Sequence, residues 1–162
     1  MPPSSPRPPT IPAKPENGLK LSQQRPAIPP DMKAFNRKII DEWRANGGKL
    51  SGQLAKSQLI LLTTIGAMSG EPRTVVIGYR PHGDELVAIA SDNGAPKDPA
   101  WYRNLLANNR TATVELGPEK FEVRARTARP EERDEYARLV DYLEQQQKLT
   151  AREIPIVVFE RI

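Results

Sequence analysis

The 162-residue chain has no cysteine, so it can build neither disulfides nor thiolate metal sites nor a cysteine nucleophile. Its one histidine, His82, cannot make a histidine-rich metal centre or a proton relay, and no metal site is expected. No apolar run approaches the roughly 18–20 residues of a membrane helix, and the first residues lack the apolar stretch of a secretory signal. A soluble cytoplasmic protein is the simplest expectation. Aromatic residues are few, at 6%, so each tryptophan and tyrosine is a countable candidate for a core position or a ligand contact.

Positive charge is abundant only in one place. Residues 1–30 carry Arg7, Lys14, Lys20 and Arg25 against Glu16, a net of +3 out of +4 for the whole chain. The same stretch holds ten of the seventeen prolines. Such a segment cannot bury much apolar surface, so it reads as a disordered or extended tail ahead of a domain at 31–162. The domain itself is nearly neutral, which argues against a nucleic-acid partner, since that function wants a basic face on a folded body. A weak electrostatic arm towards anionic partners or a membrane surface is left open, as is a role for the tail in recruiting proteins.

From Asp31 onward the pattern is that of folded protein. Met32, Phe35, Ile39, Ile40 and Trp43 recur at helical spacing, with Asp31 as cap and Asn46-Gly47-Gly48 as stop. Strands are expected at 57–65, 73–80 and 85–91, the last two joined by a turn at Pro81-His82-Gly83-Asp84 that leaves His82 exposed. Residues 98–109 read as a helix with Asp98 as cap, Pro99 at its first position and Trp101, Leu105 and Leu106 facing inward. Strands at 111–116 and 120–128 flank Gly117-Pro118-Glu119. A helix runs from Pro130 to about Gln147, and a strand at 154–160 closes the chain. Links of four or five residues permit only antiparallel neighbours. The expected class is α+β: a closed or half-closed barrel of six mostly antiparallel strands with three helices.

Two segments carry the functional signal. In "TTIGAMSGEPRT" (63–74), Gly66 and Gly70 free the backbone to present N–H groups, Thr64 and Ser69 add hydroxyls, and Arg73 can pair with an oxyanion. The stretch has no Gly-Lys-Ser/Thr and leads strand to strand, so it is not a P-loop. An anion nest and a plain hairpin with a solvated arginine both fit it. In "SDNGAPKDPAWYRN" (91–104), a small-residue loop runs into a helix with Trp101 and Tyr102 in its first turn. An indole there can pack beside a planar ligand or simply fill the core.

Together with "FNRKIIDEWRANGGKL", "ERDEYARLV" and "REIPIVVF", these segments resemble the deazaflavin-dependent nitroreductase family of actinobacteria over roughly residues 33–160. The resemblance implies a split β-barrel of the flavin-binding type. It implies coenzyme F-420, an 8-hydroxy-5-deazaflavin, and hydride transfer from its reduced form to a quinone, an activated enone or a nitroaromatic acceptor. By the same match, Ser69, Gly70 and Arg73 would hold the phosphate of the coenzyme, with Thr64, Gly66, Ala67 and Met68 completing that loop. Ala90, Ser91, Asp92, Asn93 and Gly94 would lie along the deazaflavin. Ala100, Trp101, Tyr102 and Asn104 would line it at the helix start. No catalytic side chain is required, because the hydride comes from the coenzyme and the protein orients, shields and polarises.

This chain departs from the family pattern at defined points. Relatives usually carry a lysine, often beside an arginine, where Ala67 and Met68 stand, and many carry a lysine where Asp92 stands. Charge-assisted hydrogen bonds are worth roughly 1.5–3 kcal/mol each, so the loss of one or two weakens coenzyme binding by about ten- to a thousand-fold. Lys56 and Lys97 are the cations left to compensate. The tyrosine run that many relatives place over the substrate pocket is reduced to Tyr136 and Tyr142, of which Tyr142 is the candidate pocket residue. These differences keep an alternative in view: a binding or storage protein for F-420, or for FMN, without fast turnover. Monomer and homodimer both fit.

Overall fold

A computed structural model describes residues 32–162; the expected Pro-rich tail and the Asp31 cap lie outside the described residues. Helix α1 (Met32–Ala45) presents Ile39 and Trp43 as its buried residues and ends where Gly48 donates to the carbonyl of Trp43 at 2.8 Å. Close to its end, Arg44 grips Glu115 with two hydrogen bonds, 3.2 and 2.8 Å. Glu115 in turn is paired in register with Leu61, so the helix lies over the outer face of the sheet at that point.

Seven strands form one antiparallel sheet: β1 (Leu59–Ile65), β2 (Pro72–Gly78), β3 (Arg80–His82), β4 (Glu85–Ile89), β5 (Thr111–Leu116), β6 (Glu119–Thr127) and β7 (Ile156–Arg161). Their spatial order is β2-β1-β5-β6-β7-β4-β3. Strands β2 and β3 therefore occupy opposite edges of the sheet, yet only Tyr79 separates them in the chain. A sheet whose two edges are joined by one residue must curl until they meet, which is the split-barrel architecture. The expected single strand at 73–80 thus divides. At its corner Gly78 lies so close to the Tyr142 hydroxyl that an added Cβ would come within 2.9 Å of it.

Side-chain alternation fills both faces of the far wall. In β4 and β7, Leu86, Ala88, Val157 and Phe159 point into the barrel, while Val87, Ile89, Ile156 and Val158 point outward beneath helices. Helix α2 (Ala100–Ala107) plugs one end of the barrel with Trp101, Tyr102 and Leu105. The outer layer contains α3 (Arg133–Ala137) and α4 (Leu143–Gln147), so the helix expected over 130–147 is broken and the described residues hold four α-helices. No proline or glycine breaks it. Leu139, Val140 and Leu143 each donate to the carbonyl three residues back, which tightens the chain out of α geometry. Tyr136, Val140 and Leu143 keep helical spacing across the break and stay buried, which is why the sequence read as continuous.

Two further expectations change. Asp98 does not cap α2: its N-terminal flank is Pro99, without a side-chain cap, and the Asp98 carboxylate is engaged elsewhere. His82 is a strand residue rather than an exposed turn, set between Glu85 and Glu135 at 3.0 and 3.1 Å. Among the described residues no helix is long and apolar enough to cross a membrane, and no group of acidic and histidine side chains could hold a metal ion.

Candidate functional site

The hairpin between β1 and β2 is shaped by its glycines. Gly66 donates to the carbonyl of Glu71 at 2.8 Å and accepts from Gly70 at 2.9 Å. The turn closes so tightly that a Cβ on Gly66 would lie 2.5 Å from the Ser69 hydroxyl, with the Arg73 side chain 3.7 Å away. Gly70 sits at φ +72°, the left-handed region that favours glycine.

Helix α2 anchors this hairpin from below. The Asn104 amide accepts from the Ala67 N–H at 2.9 Å and donates to the Thr64 hydroxyl at 3.1 Å. Asn108 donates to the Ile65 carbonyl at 2.9 Å. Both functions of the buried Asn104 amide are thus spent on the protein, and Thr64 is buried with it. The tip is different. Glu71 donates to Ser69 Oγ, leaving that hydroxyl its own proton to give. The backbone N–H groups of Met68 and Ser69 meet no acceptor among the described residues, and Met68 is wholly exposed. Arg73 is paired in register with Thr64, so its side chain rises on the barrel's inner face at the rim. It is exposed and makes no ion pair among the described residues. Two free N–H donors, a hydroxyl and an unpaired guanidinium on one rim are the chemistry of a cradle that could receive an anion.

The second segment leaves β4 at Ala90 and is held by an arginine that sequence reasoning missed. Arg152 donates from Nε to the carbonyl of Ala95 (3.0 Å), from Nη1 to Asp98 (2.9 Å), and from Nη2 to the carbonyls of Ala90 (3.1 Å) and Ser91 (3.0 Å). Asp92, Asn93 and Gly94 all have positive φ, 47°, 57° and 82°. Gly94 is pressed against Leu149, where a Cβ would approach within 2.6 Å. Asp92 and Asn93 point to solvent, and Ser91 is buried.

The remaining expected site residues divide by position. Ala100 is exposed at the start of α2. Trp101 and Tyr102 are core: Trp101 packs on Phe159 with ring centroids 6.3 Å apart, and the Tyr102 hydroxyl meets that of Thr127 at 2.6 Å. Ala90 is also fully buried. Tyr142 stands under Arg80, 5.1 Å from guanidinium to ring, at the corner of β2 and β3. That corner lies five residues along β2 from Arg73, about 17 Å at a strand's rise, so Tyr142 is not brought to the hairpin. Lys56 and Lys97 are exposed.

The F-420H(2)-dependent quinone reductase family model matches residues 35–161. The chain belongs to this family. It is accordingly an oxidoreductase that works with coenzyme F-420, in the split-barrel fold described above. An F-420H(2)-dependent quinone reductase of Mycobacterium tuberculosis (strain ATCC 25618 / H37Rv) is 34% identical over 128 residues, spanning 74% of this chain and 85% of that protein. A solved structure of an F-420-H2 dependent reductase is 31% identical, with a TM-score of 0.57 over 64% of this chain and 94% of its own. A second, described as a domain-swapped dimer, is 27% identical, with a TM-score of 0.60 over 80% of this chain and all of its own.

The cradle residues fit an anionic coenzyme tail. The donor set is right for phosphate, and Gly70 leaves open space where a side chain would stand, with nothing within 4 Å of an added Cβ. The fit is electrostatically lean, with Arg73 as the one cation of the 66–73 stretch.

Proposed function

We propose that this reductase delivers a hydride from reduced coenzyme F-420 to a quinone, with enones and nitroaromatic compounds as further acceptors, and that the 66–73 hairpin holds the coenzyme's phosphate. The observation that supports this most is the set of unspent donors at the hairpin tip, the Met68 and Ser69 N–H groups beside the unpaired Arg73. When bound, the coenzyme supplies the hydride at C5 of its deazaflavin. Every other task falls to the chain. Met68, Ser69, Gly70 and Arg73 bind the anion, and Asn104 fixes the loop through Ala67 and Thr64. The Ser91–Gly94 turn, with Ala90 behind it and Ala100 beyond it, offers a preset edge for the planar ring. Trp101 and Tyr102 act from beneath, as the packed floor that keeps α2 in place. Orientation and exclusion of water are enough for such a transfer, so no acid–base pair is assigned.

The test is a fluorescence titration of the purified chain with F-420, with FMN in parallel, followed by reduction of menadione. Saturable binding of F-420 in preference to FMN, with turnover of menadione, is the expected result. Tight binding without turnover favours the storage reading, to which the uncharged residues at 67 and 68 lend some weight. Preference for FMN overturns the assignment of the cradle.

A further inference from the structure

We propose that Arg152 is a positioning residue of the coenzyme site, a molecular tie that presets the 90–98 loop and joins it to the segment after α4. The inference rests on the reading of the site given above.

The loop's backbone poses a specific problem. Beyond Ile89 the chain leaves the sheet, so the Ala90 carbonyl loses the strand partner that would have satisfied it, while the Ser91 carbonyl turns inward to accept from the Gly94 and Ala95 N–H groups. The loop then takes three consecutive positive-φ residues, two of which carry side chains. Left-handed conformations persist only where the surroundings over-determine them. Arg152 supplies that determination from outside the loop. One planar guanidinium meets the acceptors on both sides of the turn, Ala90 and Ser91 before it, Ala95 and Asp98 after it. The fork geometry matters, because a lysine ammonium is a single point and cannot span these four acceptors.

Arg152 is itself aimed. Gln147, at the end of α4, donates to the Arg152 carbonyl at 2.6 Å and accepts from the Ile154 N–H at 2.9 Å, closing the 147–154 loop around its amide. Leu149 from the same loop presses on Gly94. The α4–β7 connection and the 90–98 loop are thus clamped by an arginine and by a side chain in van der Waals contact. The coenzyme would then meet a ready-made edge rather than order one on binding, which removes an entropic cost from affinity.

The experiment uses the full-length chain with Arg152→Lys and Asp98→Asn, avoiding reliance on a full truncation. Two readouts are paired: amide hydrogen exchange of the coenzyme-free protein, and F-420 affinity by fluorescence. Arg152→Lys is expected to speed exchange across 91–98 by tenfold or more, leave the 66–71 hairpin unchanged and weaken F-420 binding about tenfold. Asp98→Asn, which removes one of four acceptors' charge, is expected to produce a smaller change of the same pattern. At saturating coenzyme the menadione KM should hold, while at saturating menadione the coenzyme KM rises. Wild-type affinity in Arg152→Lys, or exchange accelerated equally in the barrel strands, overturns the proposal, the second by reducing Arg152 to a general stabiliser. If the wild-type chain does not bind F-420, the reading of the site falls; exchange at 91–98 in Arg152→Lys still decides separately whether the tie exists.

Discussion

The hairpin at 66–71 and the loop at 90–98 flank the same helix but are built on opposite plans. The hairpin is held at its base by Asn104 and Asn108 and keeps its tip donors unspent. The loop is braced by Arg152 on both sides of its strained turn, through Ala90 and Ser91 before it and Ala95 and Asp98 after it. An unspent donor set gives affinity for a charged group, whereas a braced, pre-shaped backbone gives geometry to a planar one. A site for a long coenzyme with an anionic tail and a flat head needs both. The contrast also separates what mutation does: changes to the loop's packing fall on stability and shape, changes to the hairpin's side-chain donors on binding.

The largest effect is expected from Gly94→Ala. At φ +82° a Cβ costs about 1–2 kcal/mol, and the contact with Leu149 at 2.6 Å adds overpacking of about 1–3 kcal/mol. Denaturant unfolding should show a loss near 3 kcal/mol. Gly70→Ala carries the same backbone strain at φ +72° without a neighbour within 4 Å, so its loss should be clearly smaller. Equal losses at the two positions would erase the distinction between a packed loop and an open hairpin.

Next comes Arg73→Ala. The side chain is exposed and bonded to nothing in the described body, so stability should hold. Binding of F-420 should weaken by about 2 kcal/mol, some thirtyfold, the value of one charge-assisted contact. The converse change, Met68→Lys, restores a cation at the exposed tip and should tighten F-420 by about 1 kcal/mol. A screen of this gain by salt is expected, since the group is solvent-facing. Calorimetry or fluorescence at two ionic strengths reads both effects.

Much of this was legible before any coordinates. Short Gly-bearing links fixed the antiparallel neighbours, and the Trp101–Leu105 spacing placed α2. The hairpin's composition offered the features on which the proposed cradle rests, because backbone freedom and a cation are written in residue type. What was hidden acts at a distance. Arg152 reaches acceptors 54–62 residues away, and three of them are backbone carbonyls that leave no trace in sequence. Its one visible signal is an arginine two residues ahead of the apolar Ile154–Phe159 run. The division at Tyr79 was hidden for a related reason: both halves of 73–80 have strand composition, and only the closure of the sheet decides that they lie on opposite edges.

The smallest effect concerns a third region, away from the two loops, and its sign follows from hydrogen-bond inventory. His82 Nδ1 faces Glu85 at 3.0 Å and Nε2 faces Glu135 at 3.1 Å. Carboxylates only accept, and a neutral imidazole can donate from one nitrogen alone, so the pair of contacts selects the imidazolium. The hydrogen bond to Glu85, aided by that to Glu135, accordingly raises the His82 pKa above its ordinary value near 6.5. Burial works against Glu85 ionising, but hydrogen bonds from His82 and from the Tyr136 hydroxyl, with Arg126 nearby, leave its pKa lowered. Protonated His82 joins edge strand β3 to α3, and Tyr136 packs edge-on against its ring at 5.1 Å. A raised folded pKa contributes stability that is complete below about pH 6.5 and is lost as pH climbs through the folded value. The lowered Glu85 pKa acts on the other side: its contribution is present above about pH 4.5 and is lost as pH falls through the folded value. Stability attributable to this cluster should therefore peak between those limits. His82→Gln should flatten the alkaline slope near neutrality while leaving F-420 affinity alone, because the cluster shares no residue with the cradle or the loop. Denaturant midpoints at pH 5.5 and 8 for both proteins read the difference. A slope that survives in His82→Gln would assign it to some other group.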